Sequence, residues 1–522
     1  MRTRAQIIFA ALAVAIAPAQ AWAQAKIMNP GEAVGQLIIL SVEDVTAETA
    51  KYKSLNPLTI PVFAELPLDL TVTAGAITLK QQNLLSHVQL KSRARKTPNL
   101  DISMLEGGVN NPLLSQFRDG DWIRMKLMNP DTIVIESSSQ AEAEAAYAEK
   151  QASLEPVTLE YDGSQKRIFR SAELGSADFI RVGSKAANYA ELARALNTPE
   201  RTVVRSGFAV PMAFYAEFVE SNRDVRDMIE DIVSDPIMND LIDVQYRAQR
   251  LEELRTLMTD KTKSVSTDLV DELMEIYEQQ RGPDGKLRKM KMRSSTNSED
   301  LPNFNGAGLY SSASYKPYKG GRERTMEQKR EFLREVLQEV WSSVWMLRAF
   351  DERNLFGIPH DQVKMAMQVN PSFGMEDADG VVVTKNVSGD PDSEGSAVYV
   401  ETQRGDIHGV ANPVPGVKPQ KILIFFDESR PLDVSAYRVK TLQQSNIADD
   451  NIIILPNDNP IPVMTDDEAK DLAYLSLKAR AHFKPILGRG AEVFDLDLEF
   501  KVDREDTGER QVYLKQARPL IQ

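Results

Sequence analysis

The sequence predicts a multidomain protein of mixed α/β and α+β class, with a small β-rich domain ahead of a larger domain that combines strands with long helices. Three observations carry this. The chain has 522 residues, well beyond the ~250–300 at which a single core stops growing. Its hydrophobic share of 42% and charged share of 26% are those of an ordinary globular protein. Short β-branched runs crowd the first part of the chain, whereas helical apolar spacing dominates the stretches from Asp224 to Arg281 and from Met326 to Phe356.

In chain order, Met1–Arg4 is basic, Ile7–Ala17 is apolar, and Ala19–Ala25 offers small-x-small sites. That is a secretory signal pattern over residues 1–25, with cleavage expected after Ala23 or Ala25 and a periplasmic or secreted mature protein. The alternative is a short membrane anchor, although the apolar run falls short of the ~20 residues a span needs. No later segment is long and apolar enough to span. The absence of cysteine excludes disulfides, thiolate metal sites and lipoprotein anchoring. With 62 Lys and Arg against 76 Asp and Glu, the formal charge is −14. A nucleic-acid-binding surface needs a basic face, so that partner class is not expected, while a local cationic site remains compatible.

Gly31–Leu40 reads as a glycine turn feeding a strand, Leu70–Leu79 as β-rich, and Ser86–Arg95 as a helix stopped by Thr97-Pro98. Asp119–Ile135 reads as a hairpin that closes a first domain over 28–136. The Ala/Glu-rich Ser137–Ser153 is a strong helix former and is taken as part of a helical linker over 137–174. The second domain runs over 175–522. In it, Trp341 and Trp345 stand at i, i+4 on a helical face and are expected to be core. Asn370–Lys421 is rich in strands and turns.

Two features carry chemistry. Met292–Tyr310, M-R-S-S-T-N-S-E-D-L-P-N-F-N-G-A-G-L-Y, sets Arg293 beside three hydroxyls, then an acidic pair, then Gly306 and Gly308. Guanidinium and backbone N–H groups bind phosphate oxygens, and glycines permit close approach. The alternative is Arg293 salt-bridged to Glu299 or Asp300 in a polar turn. Of the four histidines, His87 stands at a predicted helix start, followed by Lys91, Arg93, Arg95 and Lys96. That setting suits a phosphoryl group, and neutral imidazole is a competent acceptor; the alternative is a packing histidine. His360, His408 and His482 read as structural. No zinc spacing and no locally supported Ser-His-Asp arrangement is present.

Met292–Tyr310 resembles the V-R-S-S-x-x-x-E-D-L signature of the pyruvate phosphate dikinase, phosphoenolpyruvate synthase and alpha-glucan water dikinase family. Further landmarks follow in family order: V-G-S-K-A-A-N-Y-A-E-L (Val182–Leu192), G-F-A-V-P-M-A-F-Y-A-E-F (Gly207–Phe218), G-I-P-H-D-Q-V-K-M-A-M-Q-V (Gly357–Val369), A-D-G-V-V-V-T-K-N (Ala378–Asn386), D-L-D-L-E-F (Asp495–Phe500) and V-Y-L-K-Q-A-R-P (Val512–Pro519). Ala74–Asn99 is similar to the family's phosphohistidine segment, with L-S-H-V at Leu85–Val88, though Lys96 stands where many members have glycine.

The resemblance implies a phosphohistidine swivel-like domain followed by an ATP-grasp-like nucleotide-binding domain, the order of the glucan dikinases. It implies ATP and Mg²⁺ as ligands. Lys185 and Arg293 would hold phosphate oxygens, with Arg293 also stabilising charge in transfer. The turn from Thr296 through Gly306 to Gly308 would cover the phosphate tail. Glu499 and Gln516 would hold Mg²⁺, and Arg518 would contact phosphates. Residue by residue, alternatives stay open: Lys185 as a solvated helix-start lysine, and Glu499 with Arg518 as a cross-strand ion pair. The implied activity is a dikinase-type phosphotransfer in which the β-phosphate of ATP passes through His87 to water or an unidentified hydroxyl such as a glycan's. Neither a phosphoenolpyruvate or pyruvate barrel nor a carbohydrate-binding module is recognised, so the acceptor is unassigned. A non-catalytic exported relative that binds a nucleotide or an envelope partner is the second reading.

Overall fold

The computed structural model describes residues 14–15, 25–67, 70–82, 87–128, 132–154, 157–240, 242–299, 301, 304, 306, 308–405, 410, 417–447, 462–488, 490–504 and 507–520. Two units are present, one from Met1–Asn83, Lys91–Glu155 and Asp240–Gln245, the other from Leu84–Leu90, Pro156–Asn239 and Tyr246–Gln522.

The first unit is built on an eight-stranded mixed sheet. Its strands are β1 (Val14–Ala15), β2 (Lys26–Asn29), β3 (Gly31–Leu40), β4 (Thr59–Phe63), β5 (Ala76–Thr78), β6 (Asn99–Asp101), β7 (Trp122–Met128) and β8 (Thr132–Ser137), in the order β1-β8-β7-β3-β4-β5-β6-β2. The centre, β3 to β6, is parallel, and β7, β8 and β2 flank it antiparallel. Parallel strands buried on both faces read as near-continuous apolar runs, which is why T-I-P-V-F of β4 is buried throughout. Leu37, Ile60, Val62, Ile77, Leu100, Ile123, Met125 and Ile135 form the core. The helices up to residue 155 are α1 (Val42–Thr46), α2 (Ala50–Lys53), α3 (His87–Ala94) and α4 (Gln140–Ala152), of which α3 is divided, His87–Leu90 counting with the second unit and Lys91–Ala94 with the first. Ser139 caps α4 by accepting from the Glu142 N–H. Ala143 and Tyr147 of α4 pack on Val34, Leu58 and Trp122. The Leu70–Leu79 run yields only the three-residue β5.

The second unit holds two larger sheets. One has five strands, β9 (Phe169–Arg170), β10 (Phe208–Val210), β11 (Met290–Thr296), β12 (Ala313–Tyr315) and, after the small hairpin β13 (Tyr318–Lys319) and β14 (Arg322–Glu323), β15 (Met365–Pro371), in the order β12-β11-β15-β10-β9. The other has six antiparallel strands, β16 (Glu376–Val383), β17 (Ala397–Arg404), β18 (Gln420–Phe425), β19 (Arg438–Gln443), β20 (Leu496–Asp503) and β21 (Gln511–Pro519), in the order β19-β18-β17-β16-β20-β21. Its helices are α5 (Phe179–Leu196), α6 (Met212–Ser221), α7 (Arg223–Ser234), α8 (Val244–Met258), α9 (Thr267–Glu278), α10 (Met326–Ser342), α11 (Leu347–Leu355) and α12 (Asp466–Leu487). One face of the five-stranded sheet shares a core with α6 to α11, which includes Trp341 and Trp345, both buried. One face of the six-stranded sheet shares a second core with α5 and α12. The periodic stretch 326–356 is broken by a 3-10 turn at Ser343–Trp345. No described helix is long and apolar enough to cross a membrane.

Candidate functional site

Strand alternation divides β11 into two sides. Met290 and Met292 enter the core, which leaves Lys291 and Arg293 on the opposite face. On β20, Leu496, Leu498, Phe500 and Val502 enter the second core and leave Asp497, Glu499 and Lys501 facing away from it. On β21 the alternation breaks. Glu499 is registered with Gln516 but Phe500 with Leu514, so Lys515 is the extra residue of a β-bulge. With Leu514 and Ala517 both in the core, the bulge leaves Lys515, Gln516 and Arg518 together on the polar side.

A third element supplies Lys185. α5 is interrupted at Gly183, with φ 74 and ψ 161. A Cβ there would sit 2.5 Å from the Ser295 carbonyl carbon and hydroxyl, so only glycine permits this approach. Ser295 Oγ donates to the Val182 carbonyl at 2.7 Å and accepts from the Ala186 N–H at 3.0 Å. The helix therefore restarts against β11 and places Lys185 in the first turn of the restarted segment. Lys185 Nζ donates to the Ser294 carbonyl at 3.0 Å and pairs with Glu299 at 3.3 Å.

The result is a cationic cluster around one carboxylate. Glu499 lies 3.4 Å from Lys515 Nζ and 3.9 Å from Arg293 Nη1, and a third of its side chain remains exposed. Burial pushes its carboxyl up, but Lys515, Arg293, Arg518 and Lys185 hold it down at about 2. The cations are pushed the other way. Burial, with Lys515, Arg293 and Lys291, brings the Lys501 amine down to about 6 against Asp503, although Glu376 accepts a hydrogen bond from it. Burial, Arg293, Lys289 and Lys515 bring Lys291 down to about 8. Arg293 Nε is buried with no hydrogen-bond partner among the described residues, and so is Asp497 Oδ1. The orphaned guanidinium nitrogen suits an anionic oxygen, and the orphaned carboxylate oxygen suits a donor or a cation.

Lys185, Arg293, Glu499, Gln516 and Arg518 are thus gathered in one place. The pairings differ from two alternatives open in the sequence. Glu299 takes Lys185 rather than Arg293, and burial raises its carboxyl against that lysine. Arg518 takes Asp497, at 2.7 Å, rather than Glu499. The Thr296 hydroxyl is buried and bonded to Ser298 Oγ at 3.1 Å. Gly306 packs on Glu299, where a Cβ would come within 2.7 Å of Cγ, and Gly308 has φ 69. Asp300 lies outside the described residues. Lys291, Asp497 and Lys501 were missed in the sequence, yet each is two positions from an assigned residue and follows from alternation. Lys515 has no such signal, because only the bulge turns it to this side.

His87 is the first residue of α3. The basic run after it is not a solvated patch. Lys91 and Arg95 are buried, and Arg95 Nη1 donates to the Thr71 carbonyl at 3.0 Å. Lys96 adopts φ 53 just beyond the helix, the left-handed position that favours glycine, which explains the glycine common at this place. Of the other histidines, His360 is buried and stacked on Phe350 at 3.7 Å, and burial and Arg353 hold it well below its ordinary pKa. His482 Nε2 meets Glu191 Oε1 at 2.7 Å. His408 lies outside the described residues.

Two polar sheet faces carrying clustered cations and carboxylates, beside a glycine-interrupted helix, make a site suited to phosphate-type anions. The family model for the pyruvate phosphate dikinase AMP/ATP-binding domain matches residues 180–522, and the chain belongs to that family. No curated protein matches the chain.

Proposed function

We propose that the protein is an ATP-dependent dikinase-type phosphotransferase, with an ATP-grasp-like nucleotide site within 175–522 and a phosphohistidine swivel-like domain over 28–136. The observation that supports this best is the convergence of Lys185, Arg293, Lys515 and Arg518 on Glu499 from three separate elements. ATP carries about four negative charges and needs cations with a carboxylate among them. Arg293 donates to phosphate oxygens through a guanidinium fork and stabilises charge as the phosphoryl group moves. Lys185 and the restarted α5 turn take a second phosphate.

The donor set also fits Mg²⁺. Glu499 stays ionised, Gln516 offers a carbonyl, and Asp497 Oδ1 lacks a partner among the described residues. When bound, Mg²⁺ neutralises phosphate charge.

In the first transfer an imidazole nitrogen of His87 attacks the β-phosphorus. The new N–P bond forms as the bond from the β-phosphorus to the α,β-bridging oxygen breaks, and AMP leaves. The γ-phosphoryl group then passes to water as phosphate, and the β-phosphoryl group remaining on His87 passes to water or a hydroxyl acceptor. We place the mature protein in an exported compartment on the basis of residues 1–25.

ATP labelled separately at the β and γ positions tests this. Label from the β position is expected on the protein, acid-labile and alkali-stable, and absent from His87→Ala. Arg293→Ala is expected to lose ~1.5–3 kcal/mol of Mg-ATP binding or transfer, about one to two decades, read by calorimetry and labelling rate. ATP binding without any β-label would leave the non-catalytic, nucleotide-binding reading in its place.

A further inference from the structure

A second cationic cavity lies in the same unit, with none of its lining residues among those gathered around Glu499. Its volume is about 430 Å³, within the ~300–1,000 Å³ of small-molecule sites. Its charged lining is Arg201, Arg205, Arg281, Arg288 and Glu200, with Asp471 and Asp503 ion-paired to the first two arginines. In a chain of formal charge −14, four guanidiniums around one cavity are not a sample of the average surface.

The arginines come in two sets. Arg201 and Arg205 belong to the connection from α5 to β10. Arg201 is held by both oxygens of Asp471, at 2.8 and 2.5 Å. Arg205 is buried, paired with Asp503 at 3.1 Å, and stacked over Phe373 at 4.0 Å and Tyr513 at 5.1 Å. These contacts hold two guanidiniums in place before any ligand arrives. Arg281 and Arg288 belong to a tight hairpin between α9 and β11, closed by the Arg281–Leu287 bridge and by the Arg288 N–H donating to the Gln280 carbonyl at 2.8 Å. Arg281 donates to the Gly285 carbonyl at 2.9 Å and makes no ion pair among the described residues. Thr202, Ser206 and Gln511 also line the cavity and add hydroxyl and amide donors.

Guanidinium forks match phosphate oxygens in a way that a point charge does not. Two forks fixed on one segment and two on another suit a ligand with two anionic groups, one for each set. We propose that this cavity is a second anion site, built for a small molecule bearing two phosphate-type oxyanions and separate from the Glu499 site. The assignment does not depend on the phosphotransferase reading.

Calorimetric titration of inorganic pyrophosphate into the full chain tests it, with inorganic phosphate as the single-oxyanion control. Because pyrophosphate also suits the Glu499 site, the titration is run in Arg293→Ala protein, where one equivalent is still expected to bind. Adding Arg281→Ala and Arg288→Ala is expected to weaken that binding by at least about tenfold, the loss of two charge-assisted contacts. Arg281→Glu, at an exposed hairpin position, is expected to do the same and keeps the test open if the multiple variant misfolds. Phosphate is expected to bind at least about tenfold more weakly than pyrophosphate. Loss of pyrophosphate binding in Arg293→Ala alone would assign it to the Glu499 site and overturn the proposal. So would indifference to the hairpin substitutions, or equal binding of phosphate and pyrophosphate.

Discussion

At the scale of single residues, Glu499 carries the sharpest consequence. Its folded pKa is about 2 against 4.5 for an ordinary glutamate, because Lys515, Arg293, Arg518 and Lys185 overcome burial. A carboxylate with a depressed folded pKa contributes stability that is fully present above its unfolded value and is lost as pH falls through the folded one. Glu499→Gln removes that contribution and leaves the cations facing one another. The nucleotide-free variant is therefore expected to be less stable than wild type by about 1–2 kcal/mol, discounted for partial exposure, and to melt a few degrees lower. The gap should close between about pH 4.5 and 2, as thermal melts across that range would show. A gap that widened on acidification would mean that the cluster is not what holds Glu499 ionised. Legibility at this scale followed chemistry. The resemblance pointed to Arg293, Lys185, Glu499, Gln516 and Arg518 because phosphate and metal need those side chains. The pairings were not legible, since Glu299 and Asp497 compete for the same cations and only geometry decides between them.

At the scale of elements, strand alternation was readable and its interruption was not. Nothing in V-Y-L-K-Q-A-R-P marks Lys515 as a bulge residue, because K-Q next to each other fits a regular strand with one side chain on each face. The bulge makes a specific prediction. Deleting Lys515 restores regular alternation, with Gln516 and Arg518 still on the polar side and Leu514 and Ala517 still in the core. That protein should fold, with Mg-ATP affinity lower by about tenfold for the lost cation. Deleting Ala517 instead turns Arg518 toward the core, and soluble protein is not expected. If both deletions behaved alike, β21 would not be registered as described. Helix ends show the same limit. Thr97-Pro98 marked the stop of α3, but the left-handed Lys96 that makes the stop was visible only as a departure from a common glycine. Lys96→Gly should relieve the strain of φ 53 and raise the urea midpoint by the equivalent of about 0.5–1 kcal/mol, the left-handed penalty less the added chain entropy. Long periodic stretches were legible in type and not in extent. The run 224–281 divides into α7, α8 and α9, because periodicity reports which face is buried and says little about where a chain turns.

At the scale of the whole molecule, the sequence's order of motifs told more than any one of them, since a set of landmarks in sequence fixes a family where a single R-S-S would not. Length and the change in pattern near 137–174 suggested more than one domain, and the two units of the structure are discontinuous in sequence. The mixed sheet of the first unit was not legible, because β3 to β6 pair in parallel through long connections that leave no local signal. The N-terminal signal pattern leads to a last prediction. Cleavage after Ala23 or Ala25 would remove β1, which pairs only Val14 with Glu136 and Ala15 with Ile135 at one end of the sheet. The strand left at that edge is β8, whose Glu136 lies beside Arg124 and Lys126 of β7, and charges along an edge discourage pairing with other chains. Two residue pairs contribute little to a sheet whose core lies between β3, β4 and β7. N-terminal sequencing of protein recovered from the native envelope should therefore begin near Gln24 or Lys26. Recombinant protein starting at Lys26 should melt within a few degrees of the full chain and remain monodisperse. A native protein that retained Met1, or a shortened protein that aggregated or lost its cooperative melt, would mean that the first residues belong to the fold and not to its export.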